Sequence, residues 1–139
     1  MNKKENKTID LRGTPAFDRM KNYLASYKNC KRVCEQYAEE RKHGTVMKAE
    51  EDVRDAFFRE CRARCNAIEA FILSVNCGND ERRLLWFHYV EGMSIETAAE
   101  KLYVSRSTAF RISKRAEEAA LFDFVRLEGE QSSRKRSVS

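Results

Sequence analysis

Proline occurs once in the 139 residues, at Pro15, and glycine only five times. So few turn formers leave few turns and favour long helices. No apolar run approaches the roughly 20 residues that cross a bilayer, and the first residues lack the apolar core of a secretory signal. The expectation is a cytoplasmic protein with no membrane contact. The two histidines, His43 and His88, have no recurring metal-ligand spacing. No serine or cysteine sits in a nucleophile elbow, and no glycine-rich phosphate loop is present. Acidic pairs such as Glu39-Glu40 and Glu50-Glu51 lie in highly charged stretches and read as solvated helix faces rather than acid/base dyads. Neither an enzyme nor a cofactor is expected.

What is present is helical periodicity. Phe17, Met20, Leu24, Tyr27, Cys30 or Lys31, Cys34 and Tyr37 alternate steps of three and four, a heptad-like stripe opened by Thr14-Pro15. Arg41-Lys42-His43-Gly44 suits the end of that helix. A second stripe runs through Ala49, Val53, Phe57, Cys61, Cys65 or Arg64, Ile68, Ile72 and Val75. Two long helices with a short turn fold back antiparallel. The expected class is therefore all-α: a basic disordered arm over 1–14, a helical hairpin over 15–77, a helix-turn-helix over 78–127 and a disordered tail over 128–139. A rod of two helices buries little by itself, so its stripe needs the rest of the chain, a second copy or another protein.

The stretch from Asp80 to Phe124 carries the functional signal. An acidic start at Asn79-Asp80-Glu81 opens an apolar helix that Gly92 can end in a left-handed turn. Ser94 can cap a short helix with Ile95, Ala98, Ala99 and Leu102 inward, and Ser105 can cap a third with Ala109, Ile112 and Ala116 inward. The opposite face of the third helix carries Ser107, Phe110, Arg111 and Lys114, with Arg106 on its flank. From Ser105 to Arg115 there is no acidic residue. A major groove admits one helix; its phosphates attract Lys and Arg, and its base edges match Arg forks and small hydroxyls.

The run Tyr89-Val90-Glu91-Gly92-Met93-Ser94, followed by Ala99, Leu102, Val104, Ser105, Arg106 and Arg111, resembles region 4 of bacterial sigma factors. With a helical hairpin upstream, the layout resembles small sigma-like regulators of phages and prophages of Gram-positive bacteria, including late-gene regulators. The stretch that carries the resemblance, Asp80 to Phe124, covers about a third of the chain. The resemblance implies a transcription regulator of double-stranded DNA that touches RNA polymerase. It also places Arg106, Ser107, Phe110 and Arg111 where that family reads bases or contacts phosphates, Phe110 standing where a polar residue is usual. The expected DNA-binding set is Ser105, Arg106, Ser107, Thr108, Phe110, Arg111, Lys114 and Arg115. A formal net charge of +5, concentrated in Lys3, Lys4, Lys7 and Arg12 and in Arg134, Lys135 and Arg136, lets both ends approach a polyanion. No second basic-aromatic unit that could open a promoter is present, so a complete sigma factor is not expected. A homodimer through the hairpin is a further expectation. A phage packaging or assembly adaptor, or a protein-interaction module on the same scaffold, is the alternative.

Cys30-x-x-x-Cys34 and Cys61-x-x-x-Cys65 each place two sulfurs on one helix face. A hairpin turning near Met47 sets Cys30 opposite Cys65 and Cys34 opposite Cys61. Buried reduced thiols, a tetrahedral zinc and paired disulfides all fit that layout, and reduced thiols in the seam are the preferred reading.

Overall fold

The computed structural model describes residues 11–138, with side chains placed as far as Ser133, and all its described regular structure is helical. The chain is all-α. Five α-helices follow in order: α1 (Pro15–Lys42), α2 (Glu51–Ser74), α3 (Asn79–Leu85), α4 (Ile95–Leu102) and α5 (Arg106–Val138). Among the described residues no helix is long and apolar enough to cross a membrane.

Helix α1 starts where its sequence says it should. Thr14 accepts a hydrogen bond from the Phe17 amide, and Pro15 fills a first-turn position that needs no donor. After Lys42 the chain reverses through Gly44, whose φ of +68° is a conformation open to glycine at little cost. Helix α2 then runs back along α1. Tyr27 donates to Glu69 near one end of the seam, and Tyr37 donates to Asp55 near the other, beside an Arg54–Glu40 ion pair.

The stripe of α1 is buried at Phe17, Met20, Leu24, Tyr27 and Tyr37. That of α2 is buried from Cys61 to Val75, with Phe71 added, but Val53 and Phe57 remain 73% and 54% exposed. A straight helix turns once in 3.6 residues, so a pattern continued in steps of four drifts off the seam. Phe58 takes the inward place instead and packs on Tyr37 with ring centroids 5.3 Å apart.

The same 3.6-residue turn divides α3 and its extension between two cores. Leu84 and Phe87 meet Ala98, Ala99, Leu102, Ala109 and Ile112 in a small core, whereas Leu85 and Tyr89 join the hairpin residues in a larger one. From Trp86 to Val90 the helix widens into a π-turn, which the Glu91 amide closes by donating to the Trp86 carbonyl. Gly92, at φ +74°, then ends it in the left-handed conformation expected of that glycine.

Helix α5 belongs to both cores: Ala109 and Ile112 pack in the small one, and Ala116, Ala120 and Leu121 in the large one. At the junction lies Glu117, 5% exposed. Its carboxylate accepts from Lys21 Nζ at 3.0 Å and from the Tyr89 hydroxyl at 3.3 Å, with the Arg12 guanidinium 3.6 Å away. Burial, reinforced by the Glu117 charge, pushes the Tyr89 phenol up to about 12.

Two expectations about the chain ends are corrected. Residues 1–10 of the expected basic arm lie outside the described residues, but Leu11–Gly13 form a 3-10 turn whose Leu11 packs on the large core. The disordered tail expected from Glu128 is instead helix through Val138. Glu128 is held by Arg19 through two hydrogen bonds of 2.9 Å, and Arg126 pairs with Asp123 and Glu130 one turn away on either side. Such i,i+3 and i,i+4 pairs extend a helix beyond its apolar contacts.

Removing Glu117 strands the Lys21 and Tyr89 donors. Glu117→Ala is expected to lower the unfolding free energy by about 2 kcal/mol in urea denaturation, because a buried charged partner is lost while its mates stay in place. A loss below about 0.5 kcal/mol, the range of ordinary surface substitutions, would contradict this role.

Candidate nucleic-acid interface

The exposed amino-terminal half of α5 is built by two copies of one capping device. In Ser94-x-x-Thr97 the serine oxygen accepts from the Thr97 amide at 3.1 Å; in Ser105-x-x-Thr108 it accepts from the Thr108 amide at 3.2 Å. In each, the serine hydroxyl also donates to the threonine hydroxyl. Both helices therefore begin with one orphan amide satisfied. Between them the chain turns at Tyr103, which has φ +59° and is 93% exposed. A left-handed non-glycine residue costs roughly 1–2 kcal/mol, and here the turn returns the Tyr103 and Val104 amides to the α4 carbonyls of Glu100 and Ala99.

This turn seats α5 on α4. Ala98, Ala99 and Leu102 meet Ala109 and Ile112, and the small alanines allow a close approach. The opposite face points outward: Arg106, Ser107, Phe110, Arg111 and Lys114 are all exposed.

The cations on this face differ in their ties. Arg106 lies 3.1 Å from Glu96, and its guanidinium sits 5.5 Å from the Phe110 ring centroid. Arg111 donates to the Thr108 hydroxyl at 3.1 Å, which steadies its stem. Lys114 has no ion-pair partner among the described residues. Arg115, assigned by its sequence to the same set, lies 2.9 Å from Glu81 and ties α5 to α3. Its position four residues past Arg111 gives no hint of that tie, because Glu81 is 34 residues distant. The geometry thus brings seven of the eight sequence-selected residues into one exposed or half-exposed surface and turns Arg115 toward a carboxylate.

Exposed Arg106–Glu96 is a weak restraint, worth about 0.2–1 kcal/mol at most. A phosphate or a base edge can displace it. The face offers two guanidiniums, one ammonium, small hydroxyls and one aromatic ring, with no acidic side chain between Ser105 and Arg115. Such a set recognises an anionic, hydrogen-bonding surface.

The cysteines form a different layer. All five are free thiols. In the seam between α1 and α2, Cys34 donates to the Phe58 carbonyl and Cys65 to the Tyr27 carbonyl, each at 3.9 Å. Among the described residues no group of three or more His, Cys, Asp or Glu side chains could hold a metal ion. Burial first, and then the neighbouring thiols, pushes both Cys61 and Cys65 up to about 11.

Comparison with protein-family models, curated proteins and solved structures finds no match to this chain.

Thiolates, not thiols, react with maleimides or iodoacetamide. An ordinary cysteine ionises near 8.5, so at pH 8 Cys61 and Cys65 should alkylate at least about a hundredfold more slowly than in the urea-unfolded chain, their rates rising toward pH 11. Mass-spectrometric mapping of the modified sites measures this, and equal rates in folded and unfolded protein would contradict the buried seam.

Proposed function

We propose that this chain is a sequence-specific double-stranded DNA-binding transcription regulator, with the amino-terminal half of α5 in the major groove. The observation that carries the reading is the two-sidedness of that helix. Ala109, Ile112 and Ala116 are buried, and Arg106, Ser107, Phe110, Arg111 and Lys114 are exposed on the other side. A helix held at its back by α4 and unobstructed at its front meets the steric requirement of groove entry.

The resemblance of the Tyr89–Arg111 run to sigma region 4 supports the same reading and suggests a phage or prophage regulator that also touches RNA polymerase. In this assignment Arg111 and Arg106 read bases, Ser107 and Thr108 add hydroxyls, and Ser105 and Lys114 meet phosphates. Arg115 is removed from the phosphate contacts and given a positioning role through Glu81. The exposed Met47, Val53 and Phe57 around the hairpin turn supply a surface for the proposed homodimer or polymerase contact.

A protein-interaction or phage-assembly role is the second reading. Phe110, 43% exposed and stacked by Arg106, favours it, because an outward aromatic with an arginine over it is also a protein-binding pair.

Two substitutions separate base reading from simple charge. Arg111→Ala is expected to reduce discrimination between a preferred site and its single-base variants by roughly 1–3 kcal/mol. Lys114→Ala should weaken all duplexes alike and reduce the salt slope by about one. Binding isotherms on matched and mismatched duplexes at several salt concentrations give both quantities, and equal losses from the two variants would overturn the division of roles.

A further inference from the structure

Between α1 and the π-turn lies a groove of about 850 Å³, away from the exposed face of α5. Its volume falls within the range of small-molecule sites, roughly 300–1,000 Å³. Three kinds of group line it. Lys28, Lys31 and Arg32 project from successive turns of α1, all exposed. Aromatic rings of Tyr27, Trp86 and Tyr89 lie beside them. Three carboxylates complete the rim: Glu35, one turn past Lys31 and Arg32, Glu69, which accepts from the Tyr27 hydroxyl, and Glu91, which accepts from the Trp86 indole N–H at 3.1 Å.

The three cations and three carboxylates of this groove are equal in number but form no ion pairs with one another among the described residues. None of Lys28, Lys31 and Arg32 has an ion-pair partner among the described residues: Arg32 donates only to Asn29, and Lys31 lies 5.9 Å from the Tyr27 ring centroid. Like charges three and four residues apart on a helix repel one another by a few tenths of a kcal/mol per pair. An anion between them relieves that repulsion. Glu69 and Glu91 are engaged with neutral donors and retain acceptor capacity, suited to amino and hydroxyl groups.

The backbone adds an independent sign. The irregular π-turn from Trp86 to Val90 forms one wall, and π-turns inside helices recur at functional sites. Gly92 ends that wall at a positive φ, with nothing within 4 Å of where a Cβ would stand.

We propose that this groove binds a small anionic ligand with a planar aromatic part, of the nucleotide class. Its phosphates lie against Lys28, Lys31 and Arg32, its base lies along Trp86, and its exocyclic amine or ribose hydroxyls donate to the rim carboxylates. The site is separate from the DNA-reading face and does not depend on that assignment. Tyr89 connects them, since its ring lines the groove while its hydroxyl reaches Glu117 on α5.

The single tryptophan makes a direct reporter, because the indole N–H of Trp86 gives one resonance in a nitrogen–proton correlation spectrum. Adenosine triphosphate should move that resonance saturably, with half-saturation below about 1 mM. Inorganic pyrophosphate and adenosine alone should each bind at least about tenfold more weakly. The double variant Lys28→Ala/Lys31→Ala, altered only at exposed positions, should lose about tenfold or more in triphosphate affinity. Arg111→Ala should leave the titration unchanged. No saturable shift, an unchanged shift in the double variant, or pyrophosphate binding as tight as the triphosphate would each overturn the proposal.

Discussion

The arrangement of this chain depends on one buried carboxylate. Glu117 lies where α5 passes from the small core to the large one, and its partners come from three other places: Arg12 before α1, Lys21 within α1 and Tyr89 in the π-turn. A carboxylate this deeply buried is tolerated only when its lone pairs are filled. That requirement ties α1 to α5 and to the π-turn in one arrangement. Burial opposes the charge on Lys21, but the neighbouring Tyr89 and Glu117 outweigh it and hold its pKa above the ordinary value. The cluster is polar, directional and confined to one register, whereas the surrounding Ala116, Ala120 and Leu121 would tolerate small shifts.

A consequence is that the outward face of α5 is not an independent appendage. One continuous helix carries Arg111 at one point and Glu117 less than two turns later. The direction of the exposed arginines is therefore set jointly by α4, by the Arg115–Glu81 bridge and by the hairpin. Rigid presentation of this kind reduces the conformational freedom lost on binding. The groove beside Trp86 uses the same joint from its other side, through Tyr89.

Much of this was legible from residue spacing. The inward alanines and leucines of α4 and α5, the serine caps at Ser94 and Ser105, the glycine turn at Gly92 and the opening of α1 at Thr14-Pro15 all follow from local chemistry and helical periodicity. The rest depends on partners far away in the chain. Glu117 reads as one more charge in Arg115-Ala116-Glu117-Glu118 until Lys21 and Tyr89 are brought against it. Arg115 reads as a cation on a basic helix until Glu81 faces it. Val53 and Phe57 share the α2 stripe in sequence, yet drift off the seam because a straight helix does not keep an exact four-residue step. The continuation of α5 past Glu128 rests on ion pairs, one of them to Arg19 from the opposite end of the chain.

The proposed role in DNA recognition rests on the outward half of α5. Its most direct test is selection from a library of random duplexes at near-physiological salt, sequencing the retained fraction with wild-type protein and with Arg111→Ala in parallel. The account predicts an enriched motif with wild-type protein that disappears in the variant. Retention with no enriched sequence, or no retention at all, would contradict it.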